Sequence, residues 1–253
     1  FRRNKIAICL LSKALKMLRI FFTICLKISC LFLFSATIIL SVCSLNKNKS
    51  GSVSVLSDCV IKYFTNPKHF QAELYAYQLT LPMMPKLLDY AEPNWIKMER
   101  IWGIPYLDDL NNFKPELLAE TIANFHLATY IENKCLCHID NAPKNILFCS
   151  GRYYFIDFAK SIFTFPEVDI THLLLFWAAD FPYALLRSST LIFINIYLSI
   201  RQLDSARWQT SLQENIRLFD NRRKIFGKLS GKQPIAVQTA NRNWLADFDA
   251  IIT

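Results

Sequence analysis

The stretch from His138 to Phe158 constrains this chain more than any other. His138-Ile139-Asp140-Asn141-Ala142-Pro143-Lys144-Asn145 sets a carboxylate and an amide five residues apart, and the apolar triplet Ile146-Leu147-Phe148 follows at once. After Ser150-Gly151-Arg152 a second apolar run, Tyr153-Tyr154-Phe155-Ile156, ends on Asp157. Two short β-rich runs across such a link predict a hairpin with strands at 145–149 and 153–156. A hairpin brings its ends together, so Asp157 returns beside the loop that carries Asp140 and Asn145. One carboxylate can then orient an attacking hydroxyl, while the amide and the second carboxylate hold a divalent ion on donor phosphates.

Around that segment the chain divides in two. Residues 52–56 and 59–64 read as strands across a Ser57-Asp58 turn, and 86–90 and 95–98 as two more, with Ala91-Glu92-Pro93-Asn94 between them. Pro67 opens a helical stretch over 69–79 that Pro82 and Pro85 break. Trp102-Gly103-Ile104-Pro105 reads as a loop. Residues 115–131 read as a helix with Leu117, Leu118, Ile122, Phe125 and Leu127 on one side. From Asp169 onward the pattern is helical and apolar, with Trp177, Trp208 and Trp244. The order predicts an α+β, two-lobed fold. A small antiparallel-sheet lobe (36–103) precedes a larger, mostly helical lobe (104–253), with the junction near 99–106.

Residues 1–35 stand apart as a basic, apolar arm. The first 50 residues hold nine Lys/Arg and no acid, whereas the other 203 hold 20 basic and 20 acidic residues. The net charge of +9 therefore belongs to the arm, and no nucleic-acid partner is expected of the body. Residues 28–45 are 18 uncharged residues, near the minimum for a membrane span. Arg2, Arg3, Lys5, Lys13, Lys16, Arg19 and Lys27 would hold the N-terminus of such a span in the cytoplasm and set the body outside, away from cytosolic nucleotide. A cleaved signal peptide creates the same conflict. Residues 36–45, rich in Ile, Leu and Val, read instead as the first strand of the domain, pairing antiparallel with 52–56 across 46–51. The alternatives are membrane association through residues 18–45 and an arm that is a non-native extension.

The eight Cys do not form a disulfide framework in a chain so rich in core residues. Cys135-Leu136-Cys137-His138 lacks a second ligand pair at zinc-site spacing, and buried free thiols are expected. A reducing, cytoplasmic compartment follows, with membrane association as the alternative.

The segments CHIDNAPKNILF and YYFIDFAKS resemble the catalytic and metal-binding loops of the protein-kinase-like superfamily, closest to its aminoglycoside phosphotransferase and choline kinase branch. The resemblance spans about residues 46–180. It implies that Asp140 is the catalytic base, that Asn145 and Asp157 bind metal on the nucleotide phosphates, and that His138 is the structural His opening the loop. By the same likeness Asp169, in PEVDITHLL, is the buried Asp that braces that loop. Lys62, in CVIKYF, resembles the phosphate-binding Lys and Glu73, in FQAELYAYQL, its ion-pair partner. Backbone groups of Glu99 and Ile101, in the lobe connector, would meet adenine. ATP and Mg2+ are the implied cofactors.

Departures from the pattern refine the expectation. The chain has five Gly and no G-x-G-x-x-G; Asn46-Lys47-Asn48-Lys49-Ser50-Gly51 stands in that place, with Ser50 and Gly51 as candidate phosphate contacts. A plain hairpin turn explains that segment equally well. His-Ile-Asp lacks the Arg that links catalytic loops to activation-loop phosphorylation. Only eleven residues separate Asp157 from Asp169, little room for a peptide-docking platform. The expected reaction is therefore transfer of the γ-phosphoryl group of ATP to a hydroxyl of a small molecule. An atypical protein Ser/Thr kinase and a catalytically silent nucleotide-binding scaffold are the alternatives. The acceptor pocket is expected after residue 170, near Phe176, Trp177, Phe181 and Tyr183. Asp180 and Glu214 are among its few acids, too few for a polycationic aminoglycoside.

Overall fold

The computed structural model describes residues 46–48, 51–225 and 231–252. The arm, the strand expected at 36–45 and Ser50 lie outside the described residues. The N-terminal part is a five-stranded antiparallel sheet built from β1 (Asn46–Asn48), β2 (Gly51–Val55), β3 (Cys59–Tyr63), β4 (Leu87–Ala91) and β5 (Trp95–Glu99), in the order β1-β2-β3-β5-β4. Helix α1 (Pro67–Gln78) lies between β3 and β4 in the chain. It starts at Asn66, whose side chain accepts the Lys68 N–H, with Pro67 supplying a pre-set φ in the first turn.

The segment 46–51 is not one six-residue connection. Asn48 pairs with Gly51, so β1 is a strand in its own right and only two residues separate it from β2. Nothing in its Asn-Lys-Asn composition signals a strand; it is held by the ladder it joins, which overrides a low β-propensity.

The C-terminal part begins with β6 (Ile104–Pro105), expected as loop. It pairs instead with β8 (Ile146–Cys149), which also pairs with β9 (Arg152–Phe155). Gly103 makes that approach feasible, because a Cβ there would lie 2.9 Å from the Leu147 Cβ and the Phe148 carbonyl oxygen. Helix α2 (Pro115–Ala128) ends three residues before its expected limit. The Thr129 hydroxyl turns back to the Phe125 carbonyl, and the chain reverses through Glu132 and Asn133, both at positive φ, into an Ile131–Lys134 bridge. Strand β7 (Cys135–Cys137) pairs with β10 (Ile162–Thr164), and the segment 138–145 runs between β7 and β8 through a 3-10 turn at Pro143–Asn145.

Helices α3 (Pro166–Asp180), α4 (Tyr183–Ile200), α5 (Ser205–Ile225), α6 (Ile235–Leu245) and α7 (Asp249–Ile252) complete the chain. Helix α4 packs on α2 and α5 on α3. Among the described helices, α4 alone is long and apolar enough to cross a membrane, yet it buries Leu186, Phe193, Ile194 and Tyr197 in the protein core. The core is aromatic: Trp177 contacts Phe113, Phe181 and Phe193, and its indole N–H donates to the Tyr106 hydroxyl at 2.8 Å. Trp177 and Phe181 are fully buried, so they are core residues and not walls of an acceptor pocket.

Candidate active site

Strand β3 carries Lys62 in register with Val53 of β2 and Ile96 of β5. Helix α1 buries Glu73 opposite it. The two side chains meet, Lys62 Nζ lying 2.5 Å from Glu73 Oε2, and the same Nζ lies 2.5 Å from Asp157 Oδ1. One lysine thus bridges a buried acid and a more solvated one, with side-chain exposures of 1% for Glu73 and 38% for Asp157. Burial pushes Glu73 up to about 7 in spite of Lys62. Asp157 is also raised by burial, but the Lys62 charge and hydrogen bond outweigh this and leave it below the usual carboxylate range. Lys62 loses to burial and gains more from its two carboxylates, so it stays charged.

Tyr77, which the sequence reading missed, completes this cluster. Its hydroxyl donates to Glu73 Oε1 at 3.3 Å and accepts the Asp157 N–H at 3.4 Å. The i, i+4 spacing of Glu73 and Tyr77 on one helix was the available signal. Asp157 has φ 68°, a left-handed backbone held in place by these contacts.

Asp169 organises the loop after β7. Its carboxylate accepts the His138 and Ile139 N–H groups, both at 2.7 Å, the Asn141 side-chain amide at 3.0 Å, and contacts His126 Nε2 at 3.2 Å. Burial raises this carboxyl, but His126 and the converging N–H donors hold it below its ordinary value. Ile139 needs such bracing, because it is a β-branched residue at φ 62°. His138 Nε2 lies 2.8 Å from the Ile156 carbonyl oxygen and Nδ1 3.3 Å from the Asp140 backbone nitrogen, which fixes the orientation of the ring. The Asn145 amide donates to the Asp140 carbonyl at 2.9 Å, so its side-chain oxygen is the atom left for a ligand.

These residues flank a cavity of about 220 Å³. Its walls include Gly51, Lys62, Glu73, Glu99, Ile101, Asn145 and Asp157, with Val60, Met98 and Leu147 as apolar surface. The Glu99 N–H is committed to the Lys86 carbonyl. Asp140 does not line this cavity; it sits beyond Asn145, with Oδ2 2.5 Å from Lys160 Nζ and Oδ1 3.8 Å from Arg222 Nη1. Burial raises Asp140, and the Lys160 hydrogen bond and charge bring it below its ordinary value. Lys160 and Arg222 were not anticipated, since Arg222 lies on α5, far along the chain.

A second polar cluster lies behind the loop, where His126, Cys135 and Cys137 offer ligand atoms within 4.8 Å of one another. The thiols are free, and both His126 nitrogens are engaged, by Tyr197 at 2.9 Å and by Asp169. Cys135 and Cys137 are buried and form no disulfide.

No protein-family model matches the chain, and no curated protein sequence matches it. Solved structures do. A choline/ethanolamine kinase family protein from Mesorhizobium loti superposes with a TM-score of 0.53 at 11% identity, covering 83% of this chain and 88% of its own. An aminoglycoside phosphotransferase solved as a ternary complex with AMP-PNP and hygromycin B gives 0.54 at 14% identity, covering 82% and 91%. An amicoumacin kinase solved with AMP-PNP and Ca2+ gives 0.57 at 13% identity, covering 82% and 89%. The chain is similar to all three in fold. Its architecture, a small antiparallel sheet followed by a helical part, is a kinase-like fold.

Proposed function

We propose that this chain is an ATP-dependent phosphotransferase that moves the γ-phosphoryl group to a hydroxyl of a small-molecule acceptor. The observation that carries the proposal is the joining, across the cavity, of a strand lysine, a helix acid and a hairpin-end acid through one Lys62 Nζ. A structural ion pair needs no third member from a residue 95 positions away. In this reading the connector at residues 99–103 separates a nucleotide-binding lobe (36–103) from an acceptor-binding lobe (104–253). The apolar walls at Val60, Met98 and Leu147 hold the adenine, and the Glu99 carbonyl and Ile101 N–H meet its edge. Gly51 lets β2 close over the phosphates, and Lys62, oriented by Glu73, holds them.

The donor set fits Mg2+. Asp157 and the free Asn145 oxygen are hard oxygen ligands, and a magnesium ion that shares phosphate oxygens needs few from protein. When bound, the ion neutralises charge building on the phosphates. Asp140 orients the acceptor hydroxyl and takes its proton as the oxygen attacks phosphorus. His138 and Asp169 do not touch substrate; they hold the loop that aims Asp140. The requirement for ATP assigns the protein to the cytoplasm.

Equilibrium binding of ATP with and without Mg2+ tests the nucleotide half of the reading. Asp157→Ala should abolish the Mg2+-dependent part of the affinity, on the order of tenfold or more for loss of a metal ligand. Equal ATP affinity of parent and variant at every Mg2+ concentration would remove Asp157 from the site.

A further inference from the structure

The far side of Asp140 carries more positive charge than a cationic acceptor would tolerate. Lys160, in the turn after Asp157, and Arg222, on α5, converge on this one carboxylate from separate parts of the chain. None of the three lines the nucleotide cavity, and in the phosphotransferase reading the group around Asp140 is where the acceptor hydroxyl arrives. The side chains of Lys160 and Arg222 are 43% and 40% exposed, open to a solute.

Neighbouring acids are already engaged. Asp220, on the same helix as Arg222, is bound by both Nη atoms of Arg242 at 3.1 and 2.9 Å. Asp169 is buried under loop N–H groups, Asp157 is held by Lys62, and the Asp180 carboxylate accepts the Lys232 N–H at 3.1 Å. His172 adds no charge, because burial holds it down at about 4. One carboxylate therefore faces two cations.

Asp140 must accept the hydrogen of the incoming hydroxyl, yet Lys160 occupies its Oδ2. Oδ1, with Arg222 at 3.8 Å, is the oxygen left for the hydroxyl, which would then sit between the two cations. Partly exposed ion pairs are weak, about 1 kcal/mol or less, so an anion on the acceptor can compete for both cations. A quaternary amine or an aminoglycoside in the same place would meet two like charges, each repulsion about 1–4 kcal/mol at 4 Å.

We propose that the acceptor is an alcohol that also bears an oxyanion, a carboxylate or a phosphate, which Lys160 and Arg222 bind while its hydroxyl is presented to Asp140. The inference rests on the phosphotransferase reading and narrows its substrate class. In the step itself the bond from the acceptor oxygen to the γ-phosphorus forms. The bond from that phosphorus to the oxygen it shares with the β-phosphate breaks, ADP leaves, and the hydroxyl proton passes to Asp140.

The test incubates the full chain with Mg2+ and ATP radiolabelled in the γ-phosphoryl group. A small-molecule extract, separated into anionic, neutral and cationic fractions, supplies the acceptors. Label should enter products of the anionic fraction, and phosphatase pre-treatment of that fraction distinguishes phosphate-bearing from carboxylate-bearing acceptors. Label entering products of the cationic or neutral fraction instead overturns the inference and leaves the phosphotransferase reading intact. ATP that binds but labels nothing in any fraction refutes the phosphotransferase reading and this inference with it. With the active fraction as acceptor, Arg222→Gln and Lys160→Gln should each raise the acceptor KM at least tenfold and leave the ATP KM within twofold. A raised ATP KM with an unchanged acceptor KM would assign these cations to the nucleotide and overturn the inference.

Discussion

Glu73→Gln separates stability from function in one substitution. The side chain is 1% exposed, and burial raises its carboxyl from 4.5 to about 7 even with Lys62 at 2.5 Å. The folded state therefore holds a proton that the unfolded chain releases between those values. Over that interval the native state binds more protons, so this group's contribution to stability falls as pH rises. Carrying the ionised carboxylate above pH 7 costs the folded state about 3 kcal/mol relative to the unfolded chain. Gln has the same shape and no charge. Below pH 5 the variant should match the parent; at pH 8 it should be more stable by about 3 kcal/mol, a shift of about 1 M or more in the urea midpoint. His172, a base held at about 4, makes stability fall as pH drops below 6.5, but it is present in both proteins and cancels in their difference. Nucleotide turnover should move the other way. Without the Glu73 charge, Lys62 retains only Asp157 as anionic partner, and kcat/KM should drop on the order of tenfold. A variant that is less stable than the parent by the same amount at pH 5 and pH 8 would refute the reasoning, because Glu73 would then be an ordinary ionised partner of Lys62.

Other substitutions probe the scaffold. Asp169→Asn replaces a buried acceptor of several N–H groups with a side chain that must turn a donor toward some of them. It should cost about 3 kcal/mol or more by urea denaturation and lower kcat more than the ATP KM. The depressed Asp169 carboxyl also predicts that its stabilisation, present above pH 3.8, disappears as pH falls through its lower folded value in the parent and is missing from the pH profile of the variant. Gly51→Ala would set a Cβ 1.8 Å from the Tyr63 carbonyl oxygen at φ 141°, so β2 must shift; Tm should fall by several degrees, with ATP affinity falling alongside it.

The parts of the fold that were legible in the sequence are those set by local chemistry. The hairpin at Ile146–Cys149 and Arg152–Phe155, the strands flanking Ser57-Asp58 and the helix opened by Pro67 all follow from β-rich runs, turn residues and proline. Lys62 and Glu73 were legible through the resemblance of CVIKYF and FQAELYAYQL to kinase-like motifs, supported by the need of a charge at the end of an apolar strand for a partner. What was illegible depends on tertiary approach. Strand β1 has no strand-forming residues and exists only as the neighbour of β2. Trp177, on α3, and Phe181, at its C-terminal end, read as pocket aromatics because periodicity cannot say which side of a helix meets solvent when nearly every residue of that helix is buried. Tyr77 was within reach of helical spacing. Arg222 was not, because no local pattern ties a residue on α5 to a loop 82 positions earlier.

Transfer of radiolabelled γ-phosphoryl from ATP by the parent and by Asp140→Asn tests the account most directly. Both proteins should bind Mg2+-ATP with the same affinity, since Asp140 lies outside the nucleotide cavity. The parent should label an acceptor, and Asp140→Asn should do so about 10²-fold more slowly, the scale for losing a positioned base. Equal rates from the two proteins would contradict the assignment of Asp140, and with it the catalytic reading of the loop.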